Sequence, residues 1–119
     1  MDGSGINDIV RTIRSFRIRL SSESQAQSDI EEAMRRGGIP FEAQKRLTAR
    51  DRPDLFCDGV AVEIKVKGSR TQIWRQLERY AALPDVSGVV LVTGVAWPFS
   101  ESEIFGKPFR AVSLSLAWL

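Results

Sequence analysis

Two short patterns near the middle of the chain carry the residue types that bind divalent cations. The first is Arg52-Pro53-Asp54, and Glu63-Ile64-Lys65 begins nine residues after Asp54. Carboxylate oxygens are preferred ligands of Mg²⁺, and a neighbouring ammonium group can stabilise charge that develops on a reacting phosphate. The two patterns therefore favour metal-assisted hydrolysis of a phosphodiester.

The second pattern lies inside an alternating apolar segment, residues 60–67. Successive side chains of an extended strand point to opposite faces, so the segment separates into an apolar face and a charged face. The apolar face holds Val60, Val62, Ile64 and Val66, and the charged face holds Glu63, Lys65 and Lys67. We therefore predict a strand that packs on one side and presents charge on the other. The structural alternative is an ion pair on an edge strand, worth under about 1 kcal/mol.

Length and composition indicate one globular domain. The chain has 119 residues, with 43% hydrophobic and 27% charged residues, values close to those of ordinary folded domains. No apolar run approaches the roughly 20 residues that a membrane helix needs, and the first residues lack the apolar core of a signal peptide. We therefore expect a cytoplasmic protein with no membrane partner.

The chain contains no histidine and a single cysteine, Cys57. An internal disulfide is excluded, as are the usual histidine-dependent serine-protease and zinc-protease sites. Carboxylates that hold a hard cation such as Mg²⁺ are what remains for hydrolysis.

The charge distribution favours a polyanionic partner although the net charge is only +2. Basic residues concentrate in residues 35–52 and 65–79, on both sides of the acidic pattern. Solvated surface arginines are the alternative interpretation for each residue taken singly. The residues expected to contact nucleic acid are Arg52, Lys67, Arg70, Gln72, Arg75 and Arg79.

Residues 1–20 predict a basic amphipathic helix or arm. Asn7 can cap it, and its apolar positions follow helical spacing: Ile6, Ile9, Val10, Ile13, Phe16 and Leu20. This segment can cover the core, contact phosphate or form a dimer interface.

The remaining elements alternate between helices and strands. A second helix, capped by Ser21 or Ser22, runs to about Arg36, and Gly37-Gly38 ends it. Strands at 41–48, 54–58 and 60–67 predict an antiparallel meander, in which Asp51 and Asp58 are turn residues. They are followed by a helix at 71–83, an inner strand at 89–93, a loop that includes residues 97–107, and a last strand at 110–119.

This order of elements, together with the acidic patterns, resembles the PD-(D/E)XK nuclease superfamily over residues 21–94. The matching residues are Pro53-Asp54 and Glu63-Ile64-Lys65, and the segment from Gln76 to Tyr80 is similar to the Gln-xxx-Tyr signature of RecB-like members. Glu23, with Gln27 one turn later, is similar in placement to the first-helix glutamate of members that resemble Holliday-junction resolvases or VRR-NUC proteins.

The resemblance implies an α/β (α+β) fold with a restriction-endonuclease-like αβββαβ core. A central mixed sheet is flanked by helices, with an extra N-terminal helix and a C-terminal strand. The nuclease-like domain would span residues 21–119.

The resemblance also implies roles for individual residues. Asp54, Glu63, the backbone carbonyl of Ile64 and Glu23 would hold Mg²⁺, for which Mn²⁺ can substitute. Asp54 and Glu63 would lie on neighbouring strands about 4.8 Å apart, which lets their carboxylates converge on one cation. Lys65 would stabilise charge or orient water. Gln76, with Gln72 and Tyr80, would line the cleft. The helix glutamate can be Glu23, Glu31 or Glu32, and a first-turn glutamate such as Glu23 more often interacts with the helix dipole.

We therefore expect a metal-dependent DNA endonuclease. The small domain has little surface with which to read a base sequence, so branched or flapped DNA is the favoured substrate and a homodimer or higher homo-oligomer the favoured assembly. The alternatives are a non-catalytic nucleic-acid-binding or assembly module, a ribonuclease, or a small-molecule phosphodiesterase on the same scaffold. Trp74 and Trp97 can stack on bases, form an interface or pack in the core.

Overall fold

A six-stranded mixed sheet forms the middle of the protein, with helices on both faces. The computed structural model describes residues 4–114. These residues form three helices, α1 (Ser4–Arg14), α2 (Glu23–Gly37) and α3 (Arg70–Ala81). They also form strands β1 (Glu42–Ala43), β2 (Leu55–Cys57), β3 (Val60–Lys65), β4 (Gly88–Thr93), β5 (Glu101–Ile104) and β6 (Lys107–Ser113). The predicted α/β class and mixed sheet flanked by helices are confirmed.

The sheet order is β1-β2-β3-β4-β6-β5. Strands β1, β2 and β3 are antiparallel, β4 is parallel to both β3 and β6, and β5 is antiparallel to β6. Helix α3 connects β3 to β4, so α3 begins at the end of the sheet where β3 finishes. No helix formed by residues 4–114 combines the length and apolar character needed to cross a lipid bilayer.

Serine side chains define the starts of α2 and α3. The Ser22 side chain accepts a hydrogen bond from the backbone N–H of Gln25, and Ser69 does the same for Gln72. Gly38 ends α2 in the left-handed conformation with φ of 72°. The prediction of Ser21 or Ser22 as the cap of α2 is resolved in favour of Ser22.

The first predicted strand is much shorter than residues 41–48. Only Glu42–Ala43 pair with β2, and Gln44 then adopts a positive φ of 54°. The next residues form a turn in which Leu47 N–H donates to the carbonyl of Asp51, and the Thr48 hydroxyl donates to the Asp51 carboxylate. These local hydrogen bonds compete with strand pairing, so the long strand prediction was wrong and the turn role of Asp51 is confirmed.

The last two strands form a hairpin that the sequence pattern did not indicate. Strand β5 lies inside the predicted loop 97–107, and β6 begins at Lys107 instead of Arg110. Three of the four β5 residues are exposed, so this edge strand lacks the apolar alternation that marks half-buried strands. Residues 115–119 of the predicted last strand lie outside the described residues.

Helix α1 covers the core on the side of β4 and β6. Its Ile6, Ile9, Val10 and Ile13 side chains are buried. The helix ends at Arg14, so the prediction that Phe16 and Leu20 belong to it was wrong. Asn7 lies within α1 and does not cap it; its side chain accepts a hydrogen bond from Arg110 of β6.

Both faces of β3 are covered, which corrects the prediction of an open charged face. Val60, Val62 and Ile64 pack against α1 and α2, whereas Ala61 packs beneath α3. Glu63, on the same face as Ala61, is only 4% exposed. The sequence therefore places a carboxylate in the interior of the protein, where it needs partners.

A glycine holds the end of β3 against the end of β4. The Gly94 N–H donates to the Lys65 carbonyl at 3.1 Å, and a Cβ on Gly94 would lie 2.5 Å from the Val66 carbonyl oxygen. We expect Gly94→Ala to lower the free energy of unfolding by about 1–3 kcal/mol, measured by urea denaturation, because backbone must move to admit the methyl group. Gly5→Ala is the control, since nothing lies within 4 Å of its added Cβ. Equal stability of the two variants would contradict the close approach.

Candidate active site

The predicted acidic residues meet at the end of β3, where β2 begins. Strand pairing joins Leu55 to Val62. One further step in this register places Asp54 opposite Glu63. Two carboxylates that face each other across strands repel, so this arrangement destabilises the sheet unless the charge is neutralised or compensated.

Asp54 caps the edge of β3 with its carboxylate. Its Oδ2 accepts a hydrogen bond from the backbone N–H of Ile64 at 2.8 Å, and its Oδ1 accepts one from Gln44 Nε2 at 3.1 Å. Burial raises the pKa of Asp54 above its ordinary value, although these two hydrogen bonds oppose the shift. The carboxylate is therefore held in a fixed orientation at the end of the strand.

The Ile64 carbonyl faces the same side as Asp54. In a strand, the N–H and C=O groups of one residue point the same way, and the Ile64 N–H points at Asp54. The Lys65 carbonyl points the other way and accepts from Gly94 N–H on the β4 side. The pairing of β2 with β3 ends at Leu55 and Val62, and Pro53, which precedes Asp54, has no N–H with which to extend that pairing. A carbonyl oxygen is thus directed toward the two carboxylates.

Glu63 is the most deeply buried acidic group of the site. Its Oε1 accepts a hydrogen bond from the Tyr80 hydroxyl at 2.9 Å, and its Oε2 lies 3.4 Å from Lys65 Nζ. Burial, followed by the nearby charge of Asp54, raises the pKa of Glu63 to about 7, and these effects outweigh the opposing influence of Lys65 and Tyr80. The positive charge within the site is therefore too small to hold the pKa values of Glu63 and Asp54 at their ordinary levels.

Two polar residues of α3 form a chain of hydrogen bonds that ends at Glu63. Gln76 Nε2 donates to the Tyr80 hydroxyl oxygen at 3.0 Å, and Tyr80 donates to Glu63. Burial and the Glu63 charge raise the pKa of Tyr80, so the phenol remains a donor. Tyr80 is thus both a core residue and a partner of the carboxylate, whereas Gln76 acts through it. The Gln72 side chain is exposed at the start of α3.

Among the candidate helix glutamates, Glu23 is the one beside β3. Its Oε2 accepts from the Val66 backbone N–H at 3.4 Å, and its charge contributes to the raised pKa of Asp54. Glu31 instead pairs with Arg35, and Glu32 pairs with Arg36. Of the three candidates, Glu23, Glu31 and Glu32, only Glu23 therefore lies close to Asp54 and the end of β3. Its side chain is exposed at the rim of the site.

Two glutamines support Asp54 from the α2 side. Gln44 Nε2 also donates to Gln27 Oε1 at 3.3 Å, and Gln27 Nε2 approaches the Asp54 backbone carbonyl at 3.5 Å. The sequence places Gln27 one helical turn after Glu23, and it gives Gln44 no role beyond its place within the predicted strand 41–48. The pairing of β1 with β2, which sets Ala43 opposite Leu55, brings Gln44 to Asp54. The position of Gln44 beside Asp54 depends on this pairing between distant residues, which the local sequence does not indicate.

The predicted basic residues divide into two groups. Four are exposed and form no ion pair within residues 4–114: Arg52, Lys67, Arg70 and Arg75. Arg79 is half-buried and pairs with Asp51 at 3.1 Å, so it connects α3 to the turn before Arg52. The exposed group leaves cationic side chains available near the end of β3 and the start of α3.

The oxygen donors of the site fit a hard divalent cation in chemical type. Asp54, Glu63 and the Ile64 carbonyl supply three oxygens, and Mg²⁺ commonly keeps several waters in addition to a few protein ligands. Within residues 4–114, no three acidic, cysteine or histidine side chains form a complete metal-binding group by themselves. A cation here would rely on the backbone carbonyl and on water as well as on the two acids.

Comparisons with protein-family models, with curated proteins and with solved structures find no match for this chain. The functional interpretation consequently depends on the geometry of the site. That geometry combines two facing carboxylates, a lysine within ion-pair distance of one of them, and exposed cations nearby.

Proposed function

We propose that this protein is a Mg²⁺-dependent nuclease that hydrolyses phosphodiester bonds in DNA. The observation that carries the proposal is the buried Glu63, which faces Asp54 and has Lys65 Nζ 3.4 Å from its carboxylate. Such a costly grouping of charges is typical of a site in which function outweighs stability. The exposed arginines and lysine nearby supply attraction for a polyanion.

Each residue of the site has a defined part in the proposed reaction. Asp54, Glu63, the Ile64 carbonyl and, at the rim, Glu23 hold the cation. When bound, Mg²⁺ supplies charge compensation at the phosphate and an activated water. Lys65 stabilises negative charge as the phosphodiester reacts, and secondarily moves a proton.

Tyr80 and Gln76 are positioning residues in this proposal. Their hydrogen-bond chain fixes the orientation of Glu63, since Gln76 donates to Tyr80 and Tyr80 donates to the carboxylate. Gln44 fixes Asp54 in the same manner. Carboxylates held in this way have already lost their rotational freedom, so less entropy is lost when the cation and substrate bind.

The proposal includes membership of the PD-(D/E)XK nuclease superfamily, with a restriction-endonuclease-like core. Its support is the order α2, β1, β2, β3, α3, β4 together with the positions of Asp54, Glu63 and Lys65 on that framework. The antiparallel β1-β2-β3 meander and the parallel step to β4 agree with the predicted mixed sheet.

Structured DNA, such as branches or flaps, is the proposed substrate. A domain of this size has a small surface for base contacts, whereas specific DNA interfaces usually bury about 1,000 Å² or more of protein. Recognition through backbone shape and exposed cations needs less surface. A homodimer would let one kind of active site cut two strands.

The direct test is cleavage of labelled linear, flapped and branched DNA by the purified protein. We expect cutting with Mg²⁺ or Mn²⁺, none with EDTA, and none by Asp54→Asn prepared in parallel. Asp58→Asn is the matched control, because Asp58 is an exposed turn residue with φ of 46°, a conformation that asparagine tolerates. Equal cutting by wild type and Asp54→Asn would identify a contaminant and refute the proposal. Cleavage of RNA alone would refute the DNA substrate.

A further inference from the structure

An open groove with aromatic walls lies on the outer side of α3. Its lining includes Trp74, Trp97, Pro98 and Phe99, whose rings pack against one another along one surface; we call these four residues the aromatic groove. It encloses about 550 Å³, and Arg70 and Arg75 also line it. This volume is large enough for a planar ring system.

The rings of the groove are held in place from below. Trp74 packs edge-on against buried Phe109 with centroids 5.2 Å apart, and against Phe99 at 5.8 Å. Trp97 lies 6.3 Å from Trp74 with an interplanar angle of 33°. Phe99 remains 40% exposed despite these contacts. The groove therefore presents a preformed aromatic surface, which lowers the entropic cost of binding a flat ligand.

The charges around the groove favour an anionic ligand. Arg70 and Arg75 are exposed and form no ion pair within the described part of the chain. The half-buried Glu78 also lines the groove, so the cations outnumber the acidic group. Aromatic faces flanked by arginines are the combination that binds single-stranded nucleic acid, in which bases stack and phosphates pair with cations.

The groove and the candidate active site lie on two different sides of α3. Trp74 and Gln76 are two residues apart, so they lie on nearly opposite sides of the helix. Gln76 faces Tyr80 and Glu63, and Trp74 faces the aromatic groove. One helix width, roughly 10 Å, separates the two places. A DNA strand that goes around the helix past the exposed Arg70 follows about half its circumference, roughly 16–19 Å, which is about five to six nucleotides at 3.4 Å per base step.

We propose that the aromatic groove binds an unpaired base of the DNA strand that the active site cuts. This inference rests on the proposed function for the identity of the ligand. A base within a duplex is stacked and paired, so its faces are unavailable to Trp74 and Phe99. The groove thereby selects DNA with unpaired nucleotides close to the cleaved bond, such as a flap or a branch point.

The test measures tryptophan fluorescence in EDTA, where neither metal nor cleavage contributes. Trp118→Phe is used as the background, since it leaves Trp74 and Trp97 as the only tryptophans. We expect a short oligothymidylate to quench this fluorescence and a blunt duplex of equal length to quench it at least about tenfold more weakly at equal concentration. Equal quenching by duplex and single strand would overturn the inference.

Substitutions locate the binding. Phe99→Ala is expected to weaken oligothymidylate binding about tenfold, and Arg70→Gln/Arg75→Gln to weaken it and reduce its salt dependence. Phe105→Ala and Arg14→Gln are the matched controls, because Phe105 is 66% exposed in the β5–β6 turn and Arg14 is exposed on α1, across the sheet. Unchanged affinity in a folded Phe99→Ala protein would overturn the inference. So would self-association that Phe99→Ala abolishes, because the groove would then be occupied by a second copy.

The binding and cleavage results separate the two proposals. A larger loss of cleavage on flaps than on duplexes in Phe99→Ala supports the groove. Equal loss on flaps and duplexes argues against it. Single-strand binding at the groove without any metal-dependent cleavage would refute the nuclease, and with it the part of this inference that concerns a cut strand.

Discussion

Replacement of Glu63 by glutamine is expected to abolish cleavage and, at the same time, to stabilise the protein above pH 7. Cleavage should fall on the order of a thousandfold, because the variant loses a charged group that acts on the cation and the reacting phosphate. Glutamine keeps an oxygen that can accept the Tyr80 hydroxyl hydrogen bond, so the fold should be retained. A residue with only a structural role would not show these opposite effects.

The stability gain follows from the raised pKa of Glu63. Burial and the Asp54 charge move that pKa from 4.5 to about 7 in the folded protein. The folded state therefore holds a proton that the unfolded state has released, and stability decreases as pH rises between about 4.5 and 7. The full difference is roughly 3 kcal/mol. Glutamine does not ionise, so this loss should be absent from the variant.

Urea denaturation between about pH 5 and pH 8, without divalent cations, measures the effect. Wild type should lose stability across this range, and Glu63→Gln should lose clearly less. Glu103→Gln is the control, because Glu103 is exposed on β5 and its replacement should change neither property. A Glu63→Gln protein that is less stable than wild type at pH 8, or that cuts DNA normally, would contradict the assignment.

Replacement of Lys65 by methionine is expected to remove cleavage and to lower stability. Loss of the ammonium group should reduce cleavage about a hundredfold or more, since a preorganised charge at the reacting phosphate is lost. Stability at pH 8 should fall by about 1 kcal/mol or more, because the buried Glu63 carboxylate loses the partly exposed cation 3.4 Å away. The sign of the stability change is thus opposite to that of Glu63→Gln.

A double-mutant cycle checks this coupling. In the Glu63→Gln background, Lys65→Met should cost little stability, since no buried negative charge remains to be compensated. Lys67→Met is the control for stability, because Lys67 is exposed and forms no ion pair within residues 4–114. Additive effects of the two substitutions on stability would show that Lys65 does not compensate the buried Glu63 charge.

Much of the framework could be predicted because its determinants are local. Ser22, Ser69 and Gly38 set helix ends through hydrogen bonds and backbone conformations that involve near neighbours. The alternation of residues 60–67 predicts β3, although it misjudged the environment of Glu63. Whether a strand face is open or covered depends on α3, which the pattern within β3 does not encode.

The parts that could not be predicted depend on contacts between distant residues. Tyr80 reaches Glu63 only because the β3-α3-β4 crossover lays α3 on that face. Gln44 reaches Asp54 through strand register and a positive φ at a residue type with no particular preference for it. Strand β5 was missed because its sequence, Glu-Ser-Glu-Ile, has the polarity of a loop and becomes a strand by pairing with β6.

The proline of the Pro53-Asp54 pattern limits how far the hydrogen-bonded ladder between β2 and β3 can extend. Any other residue at position 53 would carry an amide hydrogen, which a ladder extended beyond the observed end at Leu55 and Val62 would direct at the Ile64 oxygen. The antiparallel ladder could then close by one more rung and use that oxygen up. Proline cannot form this additional hydrogen bond. The Ile64 carbonyl oxygen is therefore not taken up by β2 and stays beside Asp54 and Glu63.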